Sequence, residues 1–463
     1  MHKFFPRSGF FDFETVRILG TACYGGADVA EVLEAVGEIK SDDAASWEEA
    51  WRRQSWWAEA LADQAREGGD REAARRGYLR ASNYARASGY MYVSDLGAEG
   101  GDAPPTQDPR ALPVAEKVGR LFRKALALME GEVRALSIPC GAQALPGLLY
   151  LPPPGKRIPG RDKIPVLVFL GGADSCQEEL YYLYPAAGPG LGYAVLTFDG
   201  PGQGIVLRKH GLRVRPDWEV VTSSVLDYLE AYSAQHPGLE LDMKAIAVSG
   251  ASMGGYYALR SAVDRRVKAC VSIDPFYDMW DFGTAHVSPL FISAWTSGII
   301  SSGFVDKLMT VVSRLWFQMK WEIALTGTLF GLSSPSQILL NMKNYTLSGK
   351  SDGSRANGKK SHSTTDGGGV ESDSFLSEVR CPVFLSGAGK SLYLDVDSHT
   401  RRCYDGLTGV AAKDKELWVP ESEGQGSLQA KMGALALCNQ KTFQFLDKVL
   451  GVQRVPLDVS AHI

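Results

Sequence analysis

Residues 250–254 read Gly-Ala-Ser-Met-Gly, a Gly-x-Ser-x-Gly pentapeptide centred on Ser252. A serine between two glycines can sit on a turn tight enough to push its hydroxyl outward as a nucleophile. The pattern alone is weak, because glycine supplies 50 of the 463 residues and chance matches follow. Its flanks strengthen it. Lys244 to Ser249 reads as a strand, and Gly255 to Val263 as a helix with Tyr256, Leu259 and Ala262 spaced to pack. Strand, elbow and helix in that order expose a serine oxygen at the end of a sheet. An ordinary serine in a tight turn is the alternative.

A serine that attacks a carbonyl creates an oxyanion, which N–H groups must meet. Gly171-Gly172-Ala173-Asp174-Ser175 follows an apolar strand ending at Leu170. Its Gly172 and Ala173 backbone, together with Met253 after the serine, is the expected oxyanion hole. Asp174 adds a carboxylate that can orient substrate or exchange a proton. The turn Asp199-Gly200-Pro201-Gly202-Gln203-Gly204 is expected to be structural.

Serine also needs a proton acceptor, and the usual chain order is Ser, then Asp or Glu, then His. The acid turn after Val383 to Leu385 reads Gly387-Ala388-Gly389-Lys390, and the nearest carboxylates are Asp395 and Asp397. The loop after Leu417 to Val419, where the base belongs, contains no histidine over Glu421 to Ala430. His399 is therefore the candidate base, oriented by Asp395 or Asp397 and approaching Ser252 from the lid side. His286 is a further candidate, His462 lies one residue from the C-terminus, and Asp274 is a displaced acid or a turn cap.

The elements that must carry these residues follow a β-then-α rhythm. Val133 to Pro139 and Leu145 to Leu151 read as two short strands. Ile164 to Leu170, Ala194 to Phe198, Ala245 to Val248, Ala269 to Ile273, Val383 to Leu385 and Leu417 to Val419 continue the series, mostly separated by helical patterns. Such runs specify a mostly parallel sheet covered on both faces. Before them, Phe10 to about Leu128 is helical, with Trp47, Trp51, Trp56 and Ala60 in one amphipathic run and a Pro- and Gly-rich break over Gly97 to Pro113. Between Ile273 and Cys381 an aromatic-rich helical insertion sits where ligands enter an open α/β sheet, and its Ser348 to Ser374 tail is a polar linker. The expected class is α/β, an α/β-hydrolase fold with a helical N-terminal segment and a helical lid. Its expected divisions are 1–130 (helical), 131–275 and 376–463 (core) and 276–375 (lid with its tail).

Composition narrows the partners. A formal charge of −4 and no basic cluster with interleaved aromatics exclude the usual nucleic-acid face. Seven scattered cysteines without a CxxC pair suit a reducing compartment and neither a disulfide framework nor structural zinc. The longest apolar stretch, about Pro289 to Ile300, is too short to span a bilayer, and the N-terminus has no signal-length apolar run. A cytoplasmic protein without membrane partner, metal, dinucleotide or covalent cofactor is expected.

Three segments carry a resemblance: Gly-Ala-Ser-Met-Gly-Gly-Tyr-Tyr at Ser252, the Gly-Gly-Ala-Asp-Ser loop, and Glu-Gly-Gln-Gly-Ser-Leu-Gln-Ala-Lys-Met-Gly-Ala from Glu423. With the opening Met-His-Lys-Phe-Phe-Pro and Arg17-Ile18-Leu19-Gly20, they resemble the hydrolases of fungal fusarin and cytochalasan pathways over almost the whole chain. More distantly the chain is similar to bacterial carbon–carbon hydrolases of the 2,6-dihydropseudooxynicotine type. In that group an acidic residue of the oxyanion loop takes part in catalysis, and Asp174 matches it. The same group has Asp where this chain has Lys390, and His where it has Leu428. The resemblance implies a tailoring hydrolase acting on a polyketide–amino-acid hybrid, by hydrolysis or in support of 2-pyrrolidone ring closure. Its implied partner is a polyketide-type small molecule, with a polyketide synthase–peptide synthetase and a homodimer left open. Acyl transfer through an acyl-Ser252 and a non-catalytic binding descendant are the competing readings.

Overall fold

The computed structural model describes residues 3–96, 104–285, 287–349 and 374–457. Five helices precede the sheet: α1 (Gly9–Leu19), α2 (Val29–Glu38), α3 (Ala44–Glu67), α4 (Arg71–Ser88) and α5 (Ala111–Leu126). Ser8, Asp28, Asp43 and Asp70 start the first four by accepting amide hydrogens of the opening turn. Trp47 and Trp51, four residues apart, share the buried face of α3. Trp56 and Ala60 do not join them and face solvent, a correction to the single Trp-rich stripe. Five residues turn the helix well past one full circle, so Trp56 leaves the face that Trp51 occupies.

Eight strands form one sheet in the order β1-β2-β4-β3-β5-β6-β7-β8. They are β1 (Val133–Cys140), β2 (Gln143–Tyr150), β3 (Ile164–Leu170), β4 (Ala194–Phe198), β5 (Leu241–Ala251), β6 (Val267–Ile273), β7 (Val383–Ser386) and β8 (Lys415–Trp418). β1 and β2 are antiparallel, as is the β2–β4 pair, and the rest of the sheet is parallel. All seven residues of β3 are buried, as its unbroken apolar run requires of a strand covered on both faces. Alternation still decides the partner. Leu167 and Phe169 join the core shared with α1, α3, α4 and α5, while Val166, Val168 and Leu170 join the opposite core with the lid. The expected α/β-hydrolase arrangement is thus observed, and its N-terminal helices share a core with one sheet face.

Between the strands lie α6 (Gln177–Leu180), α7 (Gly204–His210), α8 (Trp218–Gln235) and α9 (Met253–Ser261). The insertion after β6 supplies α10 (Met279–Thr284), α11 (Pro289–Thr296), α12 (Ser302–Leu315), α13 (Phe317–Phe330) and α14 (Pro335–Met342), and α15 (Arg402–Gly406) and α16 (Leu435–Val449) complete the core. The lid also leans on the N-terminal helices: Trp321 donates its indole N–H to the Tyr90 carbonyl at 2.8 Å and packs 4.9 Å from Phe10. Among the described residues no single helix is long and apolar enough to cross a membrane. Most of the polar tail from Ser348 to Ser374, part of the Gly97–Pro113 break, His286 and His462 lie outside the described residues.

Candidate active site

β5 ends at Ala251 and α9 begins at Met253, leaving Ser252 alone on the corner with φ 56° and ψ −120°. A positive φ costs a residue with a Cβ roughly 1–3 kcal/mol, and surrounding structure must impose it. Here the Ser252 amide donates to the Ile273 carbonyl of β6 at 2.8 Å, and the Ser252 carbonyl accepts from Gly255 at 2.8 Å. The flanking glycines answer to crowding. A Cβ on Gly250 would lie 1.9 Å from the Gly254 carbonyl oxygen, and one on Gly254 would lie 2.5 Å from that of Leu170. No larger residue fits either place.

The loop after β3 runs beside this corner. The Gly172 amide donates to Ser175 Oγ at 2.9 Å, so within the expected oxyanion pair it is already engaged. Ala173 remains as the loop's donor, and Met253, first residue of α9, has an amide with no partner inside its helix. Gln203 holds the loop from behind. Its Nε2 donates to the carbonyls of Gly171 (2.6 Å) and Gly172 (3.1 Å), while its Oε1 accepts from the Gly200 amide at 2.9 Å. Asp199 braces the same turn by accepting from Gln177 and Ile205, and burial pushes its carboxyl upward beside Glu178. The turn is structural, as expected, but what it structures is the oxyanion loop.

Asp174 lies against a cluster of charges brought by the N-terminal helices. Its Oδ2 accepts from Arg17 Nη1 at 2.6 Å and from the Tyr90 hydroxyl at 2.5 Å. Arg17 also forks onto Glu179 (2.5 and 2.6 Å) and lies 3.4 Å from Glu14. Burial works to raise the Asp174 carboxyl, and Arg17 with Tyr90 outweighs it, leaving the group below the ordinary carboxylate range. Glu14 is pushed up to about 7, first by burial, against the pull of Arg17. The Asp174 side chain keeps 24% of its surface, whereas Glu14 keeps 3%. Asp174 is the exposed end of a buried network.

The acid–base arrangement expected around His399 takes a different form. His399 lies in a π-helical turn, Val396–Arg401, and is buried. Its Nδ1 accepts the Tyr277 amide at 3.3 Å, which puts the ring proton on Nε2. A triad base needs the reverse tautomer, with Nδ1–H given to a carboxylate. Asp395 does not supply that carboxylate: it caps the turn by accepting from the Ser398 amide and hydroxyl, both at 2.8 Å. Asp397 pairs with Arg401 in solvent. Burial lowers the His399 pKa, so the ring is neutral and presents an N–H donor.

Asp274, the candidate displaced acid or turn cap, meets a residue that sequence reasoning passed over, Lys431 of the loop after β8. Asp274 follows β6 with φ 48° and is buried; Lys431, with φ 59°, is buried completely. Lys431 Nζ donates to Asp274 Oδ1 at 2.7 Å and to the Gly387 carbonyl at 2.9 Å. Ser386 donates to the same Asp274 oxygen, and Gln429 donates to the Asp274 carbonyl. Lys390 is elsewhere, paired with Glu423 at the surface. A lysine in a loop that lacks the expected histidine was the available signal for the pair. For Glu14 and Arg17 the signal was a group of charges, with Asp12, in the mostly apolar GFFDFETVRIL helix.

Comparison with known proteins agrees with this architecture. Residues 166–345 match the model of the alpha/beta hydrolase family. The chain is 99% identical over 463 residues to hydrolase pyiE of Pyricularia grisea, covering 100% of both. It is 67% identical over 457 residues to hydrolyase ccsE of Aspergillus clavatus, covering 99% of this chain and 100% of the relative. Among solved structures, a 2,6-dihydroxy-pseudo-oxynicotine hydrolase aligns with a TM-score of 0.58 at 18% identity, over 94% of this chain and 97% of that one, which is a likeness of fold.

Proposed function

We infer the reaction from the premise that this chain belongs to the alpha/beta hydrolase family and is a hydrolase: Ser252 is its nucleophile, and it opens an ester, thioester or activated carbon–carbon bond through an acyl-serine. One observation carries the reading. Ser252 is held at φ 56° on the β5–α9 corner, between Gly250 and Gly254 positions that admit no side chain. Backbone strain of this kind clusters at active sites.

The proposed steps use the Asp174 carboxylate and the Ala173 and Met253 amides. Ser252 Oγ attacks the carbonyl carbon as its proton leaves to Asp174. The negative charge that develops on the carbonyl oxygen falls to the Ala173 and Met253 amides. Collapse breaks the bond to the leaving group, which takes the proton back from Asp174. Water then repeats the sequence on the acyl-serine and frees the acid. Arg17 keeps Asp174 ionised in the resting protein, ready to accept.

The substrate class comes from the resemblance to hydrolases of fungal fusarin and cytochalasan pathways: a polyketide–amino-acid hybrid, met in the cytoplasm, whose release or 2-pyrrolidone closure the hydrolysis serves. The aromatic lid, with the half-buried Trp280 and Phe282, suits an apolar chain. It also supports a second reading, in which a dry site lets an alcohol or amine capture the acyl group in place of water. Turnover of a p-nitrophenyl ester with and without added amine tests both. Acid product alone supports hydrolysis, amide product supports transfer, and equal rates for the wild type and a folded Ser252→Ala protein would remove Ser252 from either scheme.

A further inference from the structure

The oxyanion-loop carboxylate is one end of a chain of hydrogen-bonding groups whose other end lies on the first helix. The Tyr90 hydroxyl stands 2.5 Å from Asp174 Oδ2 and 3.2 Å from Glu14 Oε1. Arg17 Nη1 bridges the same two carboxylates at 2.6 and 3.4 Å. Glu179 and Arg86 complete the group, 3.3 Å apart. Three carboxylates therefore share two guanidiniums, leaving one negative charge in excess in a buried site, which one proton removes.

We propose that Glu14 is the group on which the proton of Ser252 finally rests, reached through Asp174 and Tyr90. The proposal rests on Ser252 being the nucleophile and Asp174 its proton acceptor. As Ser252 Oγ bonds to the carbonyl carbon, its proton passes to Asp174. With the proton on Asp174, the Tyr90 hydroxyl turns its hydrogen from Asp174 to Glu14 Oε1; Asp174 then hands a proton to the Tyr90 oxygen while the phenolic hydrogen moves to the Glu14 carboxylate. Tyr90 begins and ends neutral, Asp174 is again a carboxylate, and Glu14 is an acid. When the leaving group departs, the same transfers run backwards and protonate it. No proton is gained or lost overall.

The division of labour answers a difficulty in the site. Arg17 holds Asp174 below the usual carboxylate range, which makes it a poor resting place for a proton. Glu14 is tuned to about 7, the range in which a general base works best at neutral pH. Burial also pushes the Tyr90 hydroxyl well up, so it conducts without ionising. The N-terminal helix thereby becomes part of the reaction's proton path, and Glu14 acts at a distance as a positioning and relay residue.

The rate at which a fluorophosphonate labels Ser252, followed from mildly acid to mildly alkaline pH on the full-length protein, tests this. Wild type is expected to label faster as pH rises, with an inflection near the Glu14 value of about 7. Glu14→Gln is expected to label about a hundredfold more slowly at alkaline pH, without the inflection. Tyr90→Phe keeps the ring packed 5.0 Å from Trp321, removes only the hydroxyl, and is expected to do the same. Glu14→Asp is expected to restore part of the pH dependence. An inflection that persists unchanged in folded Glu14→Gln and Tyr90→Phe overturns the relay and leaves the Ser252 reading standing. A wild type that is never labelled at Ser252 overturns both. Infrared titration of the Glu14 carboxyl, by difference from Glu14→Gln, needs no probe, and a group ionised at every pH examined also overturns the relay.

Discussion

Lys431 and Asp274 form an ion pair of 2.7 Å with both side chains buried, one at the end of the loop after β8 and the other at the end of β6. That is the end of the sheet at which acid and base are sought in this fold. Both residues have positive φ, so the backbone bends to make the pair.

Breaking it should therefore be costly. Lys431→Met leaves Asp274 buried with only neutral donors, and removal of one partner of a buried pair costs about 3–5 kcal/mol. Denaturant unfolding of Lys431→Met and of the double variant Lys431→Met/Asp274→Leu measures this. The single change is expected to fall by that amount and the double to recover part of it. Equal stabilities for the wild type and the single variant would deny the pair a structural role.

The corner at Ser252 predicts an effect on stability that is independent of turnover. Ser252→Gly relieves the positive φ that Ser252→Ala retains. The glycine protein should unfold about 1 kcal/mol later than the alanine protein, after its greater unfolded-state entropy is counted. A glycine variant less stable than the alanine one would mean the corner is unstrained.

Gln203 fastens two carbonyls of the oxyanion loop. Gln203→Leu keeps an apolar body in the cavity and loses both bonds. An ester's kcat is expected to fall on the order of a hundredfold with KM nearly unchanged, since a small displacement of the loop withdraws a transition-state contact. A raised KM with unchanged kcat would assign Gln203 to substrate binding.

How much of this was legible in the chain depended on how local each signal was. The buried run Ile164–Leu170 and the elbow at Ser252 are written in neighbouring residues, and the strand and corner stand where those patterns put them. β5 continues past the expected Val248 to Ala251, because strand pairing with β6 carries on into the motif. The Glu14–Arg17–Asp174 cluster joins residues up to 160 positions apart, and no periodicity encodes such a meeting. His399 looked like a base because Asp395 stands four residues before it. The local capping preference of Asp395 claims that carboxylate for the turn instead.

Burial of Glu14 also sets a pH dependence of stability. Its carboxyl titrates near 7 in the folded protein against 4.5 ordinarily. Between those values the native state holds a proton that the unfolded chain has released, so stability falls as pH rises across the window, by about 3 kcal/mol in full. Thermal unfolding of wild type and Glu14→Gln should differ least at the acid end and most above neutrality, with glutamine the more stable there. Curves that stay parallel across the window would contradict the burial of a titrating Glu14.

The central claim is that Ser252 forms the covalent bond. Intact-mass and peptide mass spectrometry after exposure to a fluorophosphonate measures it directly. The expected result is a single adduct on the peptide carrying residues 250–254, absent from a folded Ser252→Ala protein. A folded wild-type protein that takes up no adduct there, or takes it up equally on another residue, would contradict the account.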